Sequence, residues 1–303
     1  MSGVGATEPP RSGGAGFAGG GAGDRPLLVV DGDSFAHRSY HALPKSVRRA
    51  DGGPGGLLTG IGNLFVRLWE EERPRAVVVC WDTLTVPTYR HVELPAYQGG
   101  REFDDELLEQ LDLAPALTEA YGFAVAKGDG YEADDFVAAS VAHEEARGGT
   151  ALVASGDRDM FQLVTERTTV LQPQKGGGAL ARIGPAEVRE RYGVEPAQVP
   201  DFIALRGDPS DKIPGARGVG EKTAATILAE YPTLEDVLAA GRFAGEADAL
   251  RLYRRIATMD RNAPLPPLDD QEPSWGRGAE LAEEWGLGRL AVRLRALEIA
   301  SSS

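Results

Sequence analysis

"RPLLVVDGD", residues 25–33, is a short apolar run that closes on two acids, and the same design returns twice, in "PRAVVVCWD" (74–82) and "TALVASGDRD" (150–159). Runs this short, apolar at every position, read as strands buried on both faces. Segments of helix length separate them, such as "GLLTGIGNLFVRLWEEE" (56–72) and "ADDFVAASVAHEEAR" (133–147). The alternation predicts an α/β fold, a mostly parallel sheet flanked by helices. Active groups in such sheets gather at the carboxyl ends of the strands. Asp31, Asp82 and Asp157 are therefore candidates for one common cleft.

Outward from this core the pattern changes. Between 83 and 119 it weakens, through "TVPTYRHVELPAYQGGR" and the acidic stretch "EFDDELLEQLDL", as expected of a lid or clamp inserted after a strand end. The α/β region is expected to occupy 25–184. From 185 to 303 the chain reads as short helices broken by Gly or Pro, ending in an extension around "GRLAVRLRALEIA". Residues 1–24 are rich in glycine and predict a disordered tail without the features of a secretory signal. No apolar stretch is long enough to cross a bilayer.

The 303 residues carry 32 Lys and Arg against 46 Asp and Glu, a net charge of −14, so no global basic field attracts nucleic acid. A polyanionic ligand needs a local basic patch or bound cations. The single cysteine, Cys80, sits in an apolar run, which excludes a disulfide framework and points to core packing in a reduced, cytoplasmic compartment.

"GDGYEADDF" (128–136) crowds Glu132, Asp134 and Asp135 at a helix start. N-terminal capping uses one or two acids there, not three. "SGDRD" adds Asp157 and Asp159, and "RGDPSD" adds Asp208 and Asp211. Hard divalent ions take oxygen ligands, and two of them about 4 Å apart stabilise both oxygens of a phosphoryl transfer. A competing reading takes Asp31 and Asp33 as the nucleophile and acid of an aspartyl-phosphate phosphohydrolase, but it leaves "YEADD" and "RGDPSD" without a role.

"IPGARGVGEKTAATIL" (213–228) has one residue too many for a P-loop. It reads better as a helix-hairpin-helix, with Gly218 and Gly220 turning the backbone and the next helix offering N–H groups to a phosphate. Lys212, Arg217 and Lys222 rim it. Such contacts read DNA structure, not base sequence.

In order, "VVDGDSFAHRSYHALP", "WDTLTVPTYRHVELPAYQGGR", "GYEADD", "SGDRDMFQL" and "RGDPSDKIPGARGVGEKTA" resemble the bacterial 5′-3′ exonuclease/flap endonuclease family, which includes the N-terminal nuclease domain of DNA polymerase I. With no polymerase region following, the chain looks like a stand-alone member. The resemblance implies a PIN-like core, a helical clamp and hydrolysis of DNA phosphodiesters with Mg²⁺ or Mn²⁺. It places Asp31, Asp82, Glu132, Asp134, Asp135, Asp157, Asp159, Asp208 and Asp211 at the metal sites, and Arg90 and Arg101 on phosphates. Tyr97, Gln98, Lys212 and Gly218 to Thr223 fall at the DNA interface, where K⁺ can assist. It further implies a monomer acting on 5′ flaps or nicked duplex, supplied by a DNA polymerase. A non-catalytic junction binder and an RNA-cleaving nuclease of the same fold are the other readings. Three departures stand out. Gln98 replaces a clamp lysine, Thr59 and Gly60 lie where relatives often carry an aromatic, and Lys212 stands where Asn is usual.

Overall fold

The computed structural model describes residues 25–100, 102–174 and 178–301, so the expected tail at 1–24 lies outside the described residues. Six strands form one sheet in the order β3-β2-β1-β4-β5-β6. They are β1 (Leu27–Asp31), β2 (Ala76–Cys80), β3 (Ala124–Ala126), β4 (Ala151–Ala154), β5 (Thr168–Gln172) and β6 (Ala181–Ile183). The first five run parallel, and β6 is antiparallel at one edge. β1, β2 and β4 are the three apolar runs. β3, β5 and β6, with sequences "AVA", "TTVLQ" and "ARI", are too short or too polar to stand out from their surroundings.

Both faces of the sheet are covered, which is why its central strands show no polar alternation. Leu27, Val29, Val78, Cys80 and Val153 enter one core, and Leu28, Val30, Val77, Val79 and Leu152 enter the other. The second core is closed by α1 (Gly32–Ala42), α2 (Gly56–Glu72) and α4 (Asp105–Ala120). Between α2 and α4 the chain makes the single turn of α3 (Tyr89–Glu93). The first core is closed by α5 (Ala133–Ala146), and by α6 (Pro185–Tyr192), α7 (Val199–Arg206), α8 (Glu221–Glu230), α9 (Leu234–Ala239) and α10 (Ala247–Ala257). The C-terminal helices α11 (Trp275–Glu284) and α12 (Gly288–Ser301) return to the second core, where Trp275, Leu290 and Leu294 join Phe65 and Tyr121.

α4 corrects the expected clamp. Its acids Asp105 and Asp112 face outward, while Leu107, Leu111, Ala114 and Leu117 are buried at helical spacing, so it is the core crossover between β2 and β3. Only residues 83–104 remain for the insertion. β1 lies between β2 and β4, so the chain winds outward from it in both directions and leaves a crevice at its carboxyl end.

The hairpin between α7 and α8 forms as expected, with Ile213, Ala224 and Ile227 buried and Val219 packed against them. Its tight glycines are different ones. Gly207 and Gly215 have φ of +79° and +75°, and a Cβ on Gly215 would lie 2.4 Å from the Gly207 nitrogen. Gly218 also has positive φ, +77°, but Gly220 has φ −102° and open space around it. Gly215→Ala is therefore expected to lower the unfolding midpoint steeply, a loss of ~2–4 kcal/mol, since strain and overpacking add. Gly220→Ala, measured by the same denaturant titration, should cost under about 1 kcal/mol.

Candidate active site and metal centre

The carboxyl ends of β1, β2 and β4 and the start of α5 open into a cleft of about 650 Å³. Asp31, Asp82, Glu132, Asp134, Asp157, Asp159, Asp208 and Asp211 all line it, drawn from five separate segments of sequence. Backbone and hydroxyl donors fix their placement. Asp31 caps α1, accepting from the Ser34 N–H at 3.0 Å, and its other oxygen accepts from Ser155 Oγ at 2.6 Å. Asp82 accepts from the Ala133 N–H at 2.7 Å, tying the end of β2 to the start of α5. Past β4 the chain leaves the sheet, so Asp157 and Asp159 lie on a loop and a 3-10 turn, with the Asp159 N–H donating to Asp157 at 2.8 Å. Asp208 closes a narrow turn, exchanging backbone hydrogen bonds with Ile213 at 2.8 Å each way.

Asp33, given a role only in the phosphohydrolase alternative, also lines the cleft and accepts from the Asp82 N–H at 2.7 Å. Its signal in the sequence is its place two residues beyond the strand-end Asp31. Ser34, His37, Arg158, Tyr192 and Arg206 also line the cleft and were not anticipated. Arg206 reaches Asp208 at 3.3 Å and lies over the Tyr192 and Phe202 rings.

The acids are crowded, and Asp31, Asp33, Glu132 and Asp208 among them are buried. Burial pushes Asp31 up to about 7, against the hydrogen bonds from Ser155 and Ser34, and the nearby Asp157 and Asp82 add repulsion. Asp33, Asp134 and Asp159 are also pushed well up, first by burial and then by neighbouring carboxylates. Glu132 is raised by burial, with Arg90 opposing. An all-oxygen donor set that repels itself fits hard divalent cations. Among the described residues no three of these side chains already close on one point as a finished ligand set.

Three expectations about this region are corrected. Asp135 does not face the cleft. It is fully buried, and Arg90, 2% exposed, donates to both its oxygens at 2.7 and 2.8 Å. Asp135 also accepts from the Glu132 and Asp260 N–H groups at 3.1 and 2.8 Å, so it is the capping acid of α5. Arg90 is consumed by that pair and by the Ile256 carbonyl, at 2.9 Å, and is not presented to a phosphate. Tyr97, expected at the DNA rim, is 4% exposed and donates its hydroxyl to Glu132 at 3.0 Å. Gln98 does line the cleft. Arg101 lies outside the described residues. Lys212, Arg217, Lys222 and Thr223 are exposed on the hairpin, beside the open space at Gly218 and Gly220.

The neighbouring acids should respond oppositely to mutation. Asp135→Ala leaves Arg90 buried without its bidentate partner, with only Glu132 at 3.5 Å, and is expected to cost ~3–5 kcal/mol of stability. Asp134→Ala removes a desolvated, repelled carboxylate and should leave metal-free stability unchanged or higher, as thermal melts will show. Asp31 is ordinarily ionised above about 4 in the unfolded chain and only above about 7 when folded, so the folded state binds more protons in that interval. Stability of the metal-free protein should therefore fall as pH rises from about 4 to about 7, and Mg²⁺ should restore it; a flat profile in denaturant titrations would contradict this placement.

Family models describe the same chain in two parts: "5′-3′ exonuclease, N-terminal resolvase-like domain" over residues 26–193 and "5′-3′ exonuclease, C-terminal SAM fold" over residues 194–274. A 5′-3′ exonuclease of Streptomyces coelicolor is 33% identical over 298 residues, covering 88% of this chain and 98% of the relative. DNA polymerase I of Mycobacterium tuberculosis is 39% identical over 250 residues, covering 80% of this chain, which spans only 27% of the polymerase. Among solved structures, a bacteriophage T5 flap endonuclease complex with DNA and metal ions matches at TM-score 0.66 and 18% identity, over 91% of this chain and all of that one. With family models spanning most of its length and a relative matched nearly end to end, the chain belongs to the 5′-3′ exonuclease family.

Proposed function

We propose that this protein is a divalent-metal-dependent nuclease that hydrolyses DNA phosphodiesters at a 5′ end or flap. The observation that carries the reading is the convergence of eight expected metal-site acids on one cleft, beside a hairpin that exposes cations and leads into the N-terminus of α8. Asp31, Asp82, Glu132, Asp134 and Asp157 would hold Mg²⁺ or Mn²⁺ closest to the chemistry, with Asp159, Asp208 and Asp211 assisting. When bound, divalent ions supply an activated nucleophile near neutral pH and charge stabilisation for the attacking and leaving oxygens.

The chain's own groups supply position. Lys212, Arg217, Lys222 and the N-terminus of α8 would hold a duplex backbone without reading bases, and a K⁺ ion could join them through the hairpin carbonyls. On the other side of α1, a groove of about 380 Å³ is lined by Arg38, Arg67, Arg293 and Asn63, with Arg293 partly offset by Glu70 at 3.3 Å and Arg67 by Glu71 at 4.0 Å. Arg38 also borders the cleft, since a Cβ on Gly156 would lie 3.8 Å from its Cδ. Cationic surfaces on both sides of an acidic cleft suit a branched substrate better than a single duplex. The protein would act as a monomer on flaps left by a DNA polymerase.

The test offers labelled 5′-flap DNA, single-stranded DNA and a matching RNA flap with Mn²⁺ to wild type, Asp134→Ala and Arg38→Glu. Wild type should cut the DNA flap, Asp134→Ala should lose at least about a hundredfold in rate while still binding, and Arg38→Glu should weaken flap binding more than single-strand binding. Flap binding without cutting by wild type would make the protein a junction binder. Preferential RNA cleavage would favour the RNA nuclease reading, since no residue in the cleft visibly rejects a 2′-OH.

A further inference from the structure

Glu132 is held by one stretch of chain. Its Oε1 accepts from Thr88 Oγ1 at 3.0 Å, its Oε2 accepts from the Tyr97 hydroxyl at 3.0 Å, and Arg90 Nη1 lies 3.5 Å from Oε2. Thr88, Arg90 and Tyr97 are all buried, and all belong to the insertion that follows β2. Behind them a second layer of donors continues the chain. Gln98 Nε2 donates to the Tyr97 oxygen at 3.0 Å, and the Gln98 N–H donates to the Asp211 carbonyl at 3.3 Å. Thr88 caps α3, where His91 Nδ1 accepts its N–H at 3.2 Å and lies 2.9 Å from its Oγ1. Thr88 and Tyr97, nine residues apart, thus grip the two oxygens of one carboxylate and fix the orientation of its plane.

A carboxylate gripped on both oxygens can still offer its remaining lone pairs, but only in the directions its partners leave open. We propose that Thr88 and Tyr97 are positioning residues for Glu132, so that docking of the 88–97 segment and divalent-cation binding in the cleft form one linked equilibrium. The inference rests on the reading of Glu132 as a metal ligand. Its consequence is reciprocal. Whatever factor the docked segment contributes to cation affinity, the cation contributes to docking of the segment. The clamp is then held more tightly over a cleft loaded with metal, and loading depends on chain that lies outside the cleft's own strands.

The experiment uses the full chain without DNA, titrated with Mn²⁺ alone, with free Mn²⁺ followed by electron paramagnetic resonance and exchange of the 88–97 amides by mass spectrometry. Thr88→Val and Tyr97→Phe should each weaken Mn²⁺ binding by about tenfold to a hundredfold, as loss of a partner behind a metal ligand does elsewhere. Thr88→Ser, which keeps the hydroxyl, should bind like wild type and so separates the hydrogen bond from the fold. Mn²⁺ should slow amide exchange across 88–97 in wild type and in Thr88→Ser, and much less in Thr88→Val. If Thr88→Val and Tyr97→Phe bind as wild type while Glu132→Gln binds weakly, the positioning role is wrong and Glu132 remains a ligand. If Glu132→Gln also binds as wild type, Glu132 is no ligand and the inference falls with that reading.

Discussion

Arg90 donates to both oxygens of Asp135 where neither side chain reaches solvent, and three parts of the molecule meet there. Arg90 comes from α3 in the insertion, Asp135 from the first turn of α5, and the Ile256 carbonyl and Asp260 N–H from the end of α10 and the chain beyond it. A buried pair stabilises only if its hydrogen-bonding capacity is filled, because desolvating two charges costs several kcal/mol per ion. Here much of it is met: two charge-assisted bonds join the pair, two backbone N–H groups satisfy the carboxylate further, a carbonyl takes the Nε proton, and Glu132 lies 3.5 Å from Arg90 Nη1. The start of α5 is thereby fixed in position, and with it the directions in which Glu132 and Asp134 leave the backbone.

That arrangement divides the acids of "GYEADD" between two tasks. Asp135 is neutralised permanently by an internal cation and serves the fold. Glu132 and Asp134 are left facing a cleft where burial and neighbouring carboxylates raise both. Repulsion of this kind destabilises the empty protein and stabilises the protein with cations bound, so the same feature that weakens the fold creates the affinity. A chain of net charge −14 can in this way direct its acids at a polyanion. Cations between acid and phosphate reverse the sign of the interaction locally.

The strands β1, β2 and β4 were legible because each is an apolar run too short for a helix, and their terminal acids were legible because a buried strand rarely ends on a carboxylate without cause. Asp135 was misread for a definite reason. Sharing a face at a spacing of three holds within a helix, but Glu132 is the N-cap, with extended φ −102° and ψ 163°, so the helical phase does not begin until Ala133. Asp135 turns back to the Glu132 N–H instead of following its side chain. Arg90 and Tyr97 were misread because partners 45 and 35 residues distant leave no local pattern. The hairpin glycines follow the same rule. Gly218 and Gly220 sit in a recognisable motif, while Gly207 and Gly215 matter only because two backbones cross there.

Gln98 shows what a neutral residue does in the clamp. Its amide nitrogen supports the Tyr97 hydroxyl at 3.0 Å and approaches Asp211 Oδ1 at 3.4 Å, so it joins the insertion to the hairpin loop across the cleft mouth. A lysine at this position would donate hydrogen bonds too, and would also place a full positive charge between Glu132 and Asp211. With an amide the geometry of the join is kept and that charge is absent. Among the described lining residues, fixed compensation for the acids then falls to Arg158 and Arg206, and Arg206 is already held against Asp208 and two aromatic rings. Arg90 behind Glu132 and Lys127 near Asp33 offset the acids from outside the lining. On the proposed function, the side chain at the clamp therefore joins the acids beneath it in setting how much charge a bound divalent cation would have to offset.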